Sequence, residues 1–464
     1  MEIEFHGAAR EVTGSCHILR VNGRTILLDC GLFQGKRSDV RHKNARLPVA
    51  VGEIDAIVLS HAHIDHAGRL PFLVHEGYGR AIHATTATRD LSEVMLADAA
   101  HIQEQDANFL ARRSRTYADP LYGQRDALRT MELFRGESYD TPVEIVPGVR
   151  ATFVDAGHIL GSASVILDCT GDGATRRLVF SGDIGRSGLA IIRDPVPPVG
   201  AHVVIMESTY GDRAHASVAG AKRELARVVR ETAARGGRVL IPAFAVGRTQ
   251  ELIYDLHQLA DAGEIPRLPI VIDSPLATKA TAVFSAHTDI FDDSEPFVHA
   301  HEGKRTELFR FPLLRFTESV EESKALNQHT TPVVIIAASG MAESGRILHH
   351  LLHGASNPRN TVLVVGFMAE HTLGRRIVER QPMLTVLGEQ VPLKAHVEVI
   401  DGYSAHADRT ELANWAQAVR HESPDLKDVW LVHGEPAAQD VFAATLTAAG
   451  YRTHCPTPGT IAPV

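Results

Sequence analysis

The stretch LSHAHIDHAGRLP (59–71) sets three histidines and an aspartate within six consecutive positions, 61 to 66. Neutral imidazoles with a carboxylate suit zinc, and four such groups on so short a loop cannot easily all reach one ion. His61 and His63 can chelate one cation while Asp65 and His66 face a second. Two zincs roughly 3.5 to 4 Å apart would share a bridging hydroxide, formed near neutral pH because the cations acidify bound water. Other ligands have to come from elsewhere in the chain. His158 in DAGHILGS, Asp183 in FSGDIG and His433 in VWLVHGE each follow an apolar run and have a glycine close by. Such glycines let the backbone turn sharply around an ion. Asp29 in LLDCGLFQG is likewise a carboxylate at the end of an apolar run, and its expected role is to support a ligand histidine.

The elements that must carry these residues are short β-branched or apolar runs bounded by turn residues: CHILRV (16–21), TILLDC (25–30), AIVLSH (56–61), ATFVDAG (151–157), ASVILDC (163–169), RLVFSGD (177–183) and HVVIMES (202–208). They read as buried strands with the chemistry at their tips. One helical pattern spans about Thr88 to Leu133, and its RRSR run, Arg112 to Arg115, reads as a solvated face. After Tyr210 strands alternate with helices, from helix 216–237 and strand 238–246 through strands 269–274, 332–340 and 361–367. That alternation predicts parallel strands joined by crossover helices. Strands at 396–406 and 428–435 follow, so the expected layout is one domain interrupted by another: 1–207, an insertion over 208–376, and 377–464 completing the first.

With 464 residues, 44% of them hydrophobic, the chain can bury more than one core. Its net charge of −9 excludes nucleic-acid binding by overall charge, so a polyanion would have to be held by a local positive site such as bound metal. Four cysteines without a CxxC pair fit a reducing cytosol. The N-terminus lacks a basic segment followed by an apolar run, and no stretch nears the roughly 18 to 20 apolar residues of a membrane span; a cytoplasmic protein with no membrane partner is expected.

In order and approximate separation, HAHIDH with Asp29, His158, Asp183 and His433 resembles the metallo-β-lactamase fold hydrolases, an αββα sandwich with two zincs at its edge. The resemblance implies that His61, His63 and His158 bind one zinc, Asp65, His66 and His433 the other, and that Asp183 bridges both. His66 fills the last place of the motif as in the glyoxalase II and phosphodiesterase branches, which argues against lactamase activity. MESTYGDR (206–213) with Glu207, EHTLGRR (370–376) with His371 and GYSAHAD (402–408) with His406 resemble motifs of the β-CASP nucleases, whose inserted α/β domain of parallel strands forms a cap. IPAFAVGRTQELI (241–253), DSPLA (273–277) and ASGMAESGR (338–346) also resemble that group, above all its cleavage and polyadenylation factor branch, and a histidine at the place of His406 resembles its RNA-directed members.

The implied activity is zinc-dependent hydrolysis of single-stranded RNA, endonucleolytic and also 5′-to-3′ exonucleolytic, with manganese as a substitute metal and a homodimer as a family-level expectation. Asp65, Glu207, His371 and His406 form the implied catalytic set, with His406 as general acid oriented by Glu207 and His371 on the scissile phosphate. Ser339 and Gly340, after a parallel strand, could cradle a phosphate with successive N–H groups, and Arg375 and Arg376 could meet others, one of them making an ion pair instead. Two competing readings are a small-molecule hydrolase of the glyoxalase II or lactonase kind and a non-catalytic RNA-binding scaffold. Turnover of thioester alone would favour the first; RNA binding without cleavage would favour the second.

Overall fold

The computed structural model describes every residue except 36, 114–118, 172, 173, 367 and 370, and the side chains of all of those but 37–39, 109, 110, 112 and 113. Ser114 and Arg115 of the RRSR run and Glu370 of EHTLGRR lie outside the described residues, as do the Arg112 and Arg113 side chains. The chain folds as two compact units, one of residues 1–187, 194–214 and 406–464 and one of residues 188–193 and 215–405.

The first unit contains two seven-stranded sheets. From edge to edge, one runs Ile461–Pro463, Glu2–Gly7, Cys16–Val21, Arg24–Leu28, Ala56–Val58, Ile82–Thr85 and Phe134–Glu137. The other runs Arg452–His454, Asp428–Val432, Val203–Glu207, Ala174–Phe180, Ala163–Gly171, Val149–Asp155 and Val143–Val146. Alternation decides which faces meet: Ile3 and Phe5 are buried while Glu2 and Glu4 are only partly so. Phe5, Leu19 and Leu28 of one sheet join Phe153, Leu167, Phe180 and Ile205 of the other in a single apolar cluster. Helical residues Leu70, Leu73 and Leu96 cover the first sheet's other face, and Leu412, Trp415, Phe442 and Leu446 cover the second's. The layers are therefore αββα.

Register brings the strand tips together. Parallel pairing of Leu28 with Val58 delivers Asp29 and the HAHIDH loop to one sheet end. In the other sheet, Phe180 pairs with Ile205 and Glu207 with Val432, both parallel, so Asp183, Glu207 and His433 emerge side by side. Antiparallel pairing of Asp155 with Ala163 closes a hairpin that holds His158 in its turn.

The second unit has a six-stranded parallel sheet, ordered Leu314–Phe316, Ile270–Ile272, Val333–Ala337, Arg238–Pro242, Thr361–Val364 and His396–Val399. Its boundaries differ from 208 and 376 of the sequence reading. Residues 208–214 pack with the first unit, and 377–405 with the second, because His396–Val399 pairs with Thr361–Val364 instead of extending the sandwich. The single helical pattern from Thr88 is also corrected to two helices, Thr86–Arg113 and Gln124–Leu133. Pro120 has no N–H to continue a helix, and Gly123 restarts one with its N–H donated to Asp126 Oδ2 at 3.1 Å. Among the described residues no helix is long and apolar enough to cross a membrane.

A buried carboxylate organises the second unit. Asp273 Oδ1 accepts from Arg346 Nη1 (2.6 Å) and Thr317 Oγ1 (2.5 Å), and Oδ2 pairs with Ser323 Oγ and His350 Nε2, both at 2.6 Å. Burial raises its pKa, but the hydrogen bonds led by His350 outweigh this and hold it well below the usual carboxylate range. Asp273→Ala strands Arg346 and His350, and its expected cost in denaturant unfolding is about 3–5 kcal/mol at pH 7. Because the folded pKa is depressed, this contribution exists above pH ~4 and is lost as pH falls toward the folded value, so the gap between variant and wild type narrows in acid.

Candidate metal centre

All seven sequence-predicted ligands meet within the first unit. His63 stands at the N-terminus of the short helix Ile64–Ala67, which follows the strand Ala56–Val58 and turns Asp65 and His66 away from His61. Two glycines permit the crowding: a Cβ on Gly31 would lie 1.5 Å from Asp65 O, and one on Gly185 would lie 1.6 Å from Gly157 O. Asp29 sits at φ 60° beside Gly31, with its N–H donated to Val58 O at 2.9 Å.

The donor atoms form two sets. In one, His63 Nδ1 is 3.1 Å from both His61 Nε2 and His158 Nε2, and Asp183 Oδ2 is 3.5 Å from the former and 3.6 Å from the latter. In the other, His66 Nε2 lies 3.1 Å from His433 Nε2 and 3.3 Å from Asp183 Oδ1, and His433 Nε2 lies 3.6 Å from Asp65 Oδ2. Asp183 thus turns one oxygen to each set. A tetrahedron of ligands about 2.1 Å from a zinc has edges of roughly 3.4 Å, and these separations match it. The buried Asp183 Oδ1 accepts no hydrogen bond, although a buried carboxylate oxygen ordinarily finds a donor. The residues fit cations.

Electrostatics support the same reading. Burial, then the charge of His66, holds the His61 pKa well below its ordinary value, and burial pushes His63 down to about 4. Burial would raise Asp183, but the neighbouring His433 and His66 outweigh it and keep the carboxyl well below the usual range. His66 behaves oppositely: burial lowers it, while Asp183 and Asp29 together raise it well above the ordinary value. A cation must displace that proton, so metal affinity rises with pH.

Asp29 lies against His66. Its Oδ2 is 2.7 Å from His66 Nδ1 and 3.1 Å from Ser15 Oγ, while Oδ1 accepts from Ser60 N at 2.8 Å. This fixes the proton on Nδ1 and leaves the Nε2 lone pair facing the centre. Asp29→Asn is expected to weaken zinc affinity about 10- to 100-fold, measured by competition with a chromogenic chelator. Sequence reasoning missed three hydroxyls beside ligand histidines, two at the ring and one at the backbone. Thr209 Oγ1 lies 3.0 Å from His433 Nδ1, Ser60 Oγ 3.1 Å from His61 Nδ1, and Ser162 Oγ accepts from His158 N at 3.0 Å. Thr209 could have been noticed two residues after Glu207; the other two carry no signal in the sequence.

Beside the metal sets, His406 Nδ1 lies 3.2 Å from Glu207 Oε1 and 3.9 Å from Asp183 Oδ2. Glu207 is fully buried and is itself held by Ile184 N at 2.6 Å and Thr209 N at 3.2 Å. Burial alone would lower the His406 pKa; Glu207, then Asp183, outweigh it and push it up to about 9. Cations on Asp183 would remove part of that attraction and leave the part from Glu207. The ring is partly exposed.

The remaining predicted residues belong to the second unit. His371 is exposed at φ 68°, just before the helix Leu373–Val378. The loop 339–346 holds that helix start, with Leu373 N donating to Glu343 Oε1 and Gly374 N to Met341 O. The expectation of successive phosphate-facing N–H groups needs correction at Ser339, whose N–H donates to Ser344 O and whose hydroxyl accepts from Glu343 N and Ser344 N. Gly340 follows it. Arg375 makes an ion pair with Glu379 at 2.8 Å, one helical turn on, and Arg376 lies beside it.

Comparison with known proteins covers almost the whole chain. Residues 9–243 match the metallo-beta-lactamase superfamily, 249–377 the Beta-Casp domain and 390–456 the Zn-dependent metallo-hydrolase RNA specificity domain. Ribonuclease TTHA0252 of Thermus thermophilus is 40% identical over 94% of this chain and 93% of its own length. Transcription termination factor FttA of Methanosarcina mazei is 31% identical over 93% of this chain, which spans 66% of that protein. A crystal structure of a protein of unknown function from Enterococcus faecalis is alike in fold over 99% of both chains, with a TM-score of 0.58 at 10% identity.

Proposed function

Because the chain belongs to the metallo-β-lactamase superfamily, in its β-CASP branch, we propose that it is a zinc-dependent ribonuclease that hydrolyses phosphodiester bonds of single-stranded RNA. The observation that carries this reading is the pair of ligand sets sharing Asp183, with the Glu207-held His406 at their side.

His61, His63 and His158 would hold one zinc, Asp65, His66 and His433 a second, and Asp183 both, with manganese as a substitute. Bound there, the cations supply an acidified water and positive charge for the phosphate. The protein's part is orientation and a proton. Glu207 would accept a hydrogen bond from Nδ1–H of the protonated His406, which leaves Nε2–H as the proton to give to the departing ribose oxygen. His371, Gly340 and Arg376 would contact RNA phosphates, Ser339 would shape their loop, and Arg375 would have to leave Glu379 to join them. Internal cleavage is the primary mode and 5′-to-3′ trimming a further one. A cytoplasmic setting and a homodimer complete the reading.

The test offers purified protein labelled single-stranded RNA, DNA and a thioester, with zinc, with manganese and after chelation. RNA cleavage that chelation removes and either metal restores is expected. Turnover of the thioester alone, or RNA binding without cleavage in any metal, would overturn the proposal.

A further inference from the structure

In the second unit's sheet, two neighbouring strands send their connections in opposite directions. From Arg238–Pro242 the chain runs through the helix Arg248–Asp261 to Ile270–Ile272 on one side. From Val333–Ala337 it runs through the helix Ile347–Gly354 to Thr361–Val364 on the other. Right-handed crossovers in opposite directions cover opposite faces, so the loops leaving these strands diverge. The crevice at the carboxyl ends of such strands is where open parallel sheets bind ligands.

Phe244 stands in that place, in the first loop. The residue is 53% exposed although Ala243, Ala245 and Val246 around it are buried. The loop is well anchored: Ala243 N donates to Ala337 O at 3.1 Å, and Thr249 Oγ1 donates to Phe244 O at 2.7 Å. Exposure is therefore imposed by the backbone. A Cβ on Gly340, in the second loop, would lie 2.7, 2.8 and 2.9 Å from three adjacent atoms of the ring. Near-equal distances to adjacent atoms put the ring's face over the glycine. Phe244 is thus braced from beneath by a residue with no side chain.

A rigid exposed aromatic face is what single-stranded nucleic acid uses for base stacking, which tolerates any base because every base has a π face. We propose that Phe244 is the stacking platform for one base of the RNA substrate, with Gly340 required for the ring to lie flat. The proposal rests on the ribonuclease reading and adds a substrate-binding residue to it.

The test measures KM for a labelled single-stranded RNA and for a series carrying one abasic position each. Phe244→Ala is expected to raise KM about tenfold or more. Phe244→Trp keeps wild-type affinity, and Phe244→Leu, which retains the apolar packing, does not. At one position the abasic substitution weakens wild-type binding and leaves Phe244→Ala unaffected. A leucine variant equal to wild type, or an abasic penalty identical in wild type and Phe244→Ala at every position, overturns the stacking role. Wild-type protein that cleaves no RNA overturns the underlying reading instead.

Discussion

Asp183→Ala is expected to abolish RNA cleavage, with kcat/KM falling on the order of 10⁴-fold or more and most bound zinc lost. Its two oxygens serve different ligand sets, 3.5 Å from His61 Nε2 and 3.3 Å from His66 Nε2, so one substitution opens both. Each cation contributes several kcal/mol of charge stabilisation to the transition state, and about 1.36 kcal/mol is a factor of ten. The loss also removes the buried carboxylate that faces His61, His66, His158, His406 and His433. Metal analysis beside steady-state kinetics measures both effects, and a variant that keeps its zinc and its rate would remove Asp183 from the centre.

His406→Ala separates proton transfer from metal binding. His406 lies in neither ligand set, so zinc content should match wild type while cleavage falls about 10²- to 10⁴-fold. The penalty should shrink for a substrate with a p-nitrophenolate leaving group, which departs without a proton. The sign of the pH effect follows from the raised pKa, about 9 without cations. The protonated imidazole is the active form, so the wild-type rate falls as pH rises through the pKa that remains once cations are bound. His406→Ala should lose that alkaline limb. Zinc loss equal to that of Asp183→Ala would contradict the separate roles.

Most of the centre was legible because each ligand sits just beyond the end of a strand. HAHIDH is dense enough to signal metal alone, and Asp29, His158, Asp183 and His433 each terminate an apolar run, which gives position as well as chemistry. The sharing of Asp183 and the pairing of Glu207 with His406 needed the register of three strands, which no local pattern encodes. Short edge strands were harder to see. Phe134–Glu137 reads FRGE, with two exposed positions and a glycine, and becomes a strand by pairing with Ile82–Thr85. The domain limit near 377 was similarly opaque, because HVEV can pair with any exposed strand and only the tertiary fold gives it to Thr361–Val364. The Ser339 N–H was misjudged because a tight loop consumes its own donors.

The claim on which everything rests is that the two ligand sets hold a pair of cations under one shared carboxylate. Anomalous scattering at the zinc absorption edge, from crystals grown with zinc, tests it most directly. The expected map has two peaks roughly 3.5 to 4 Å apart, one among His61, His63 and His158 and one among Asp65, His66 and His433, with Asp183 between them. A map with no peak at either set, or with zinc bound at only one, would contradict it.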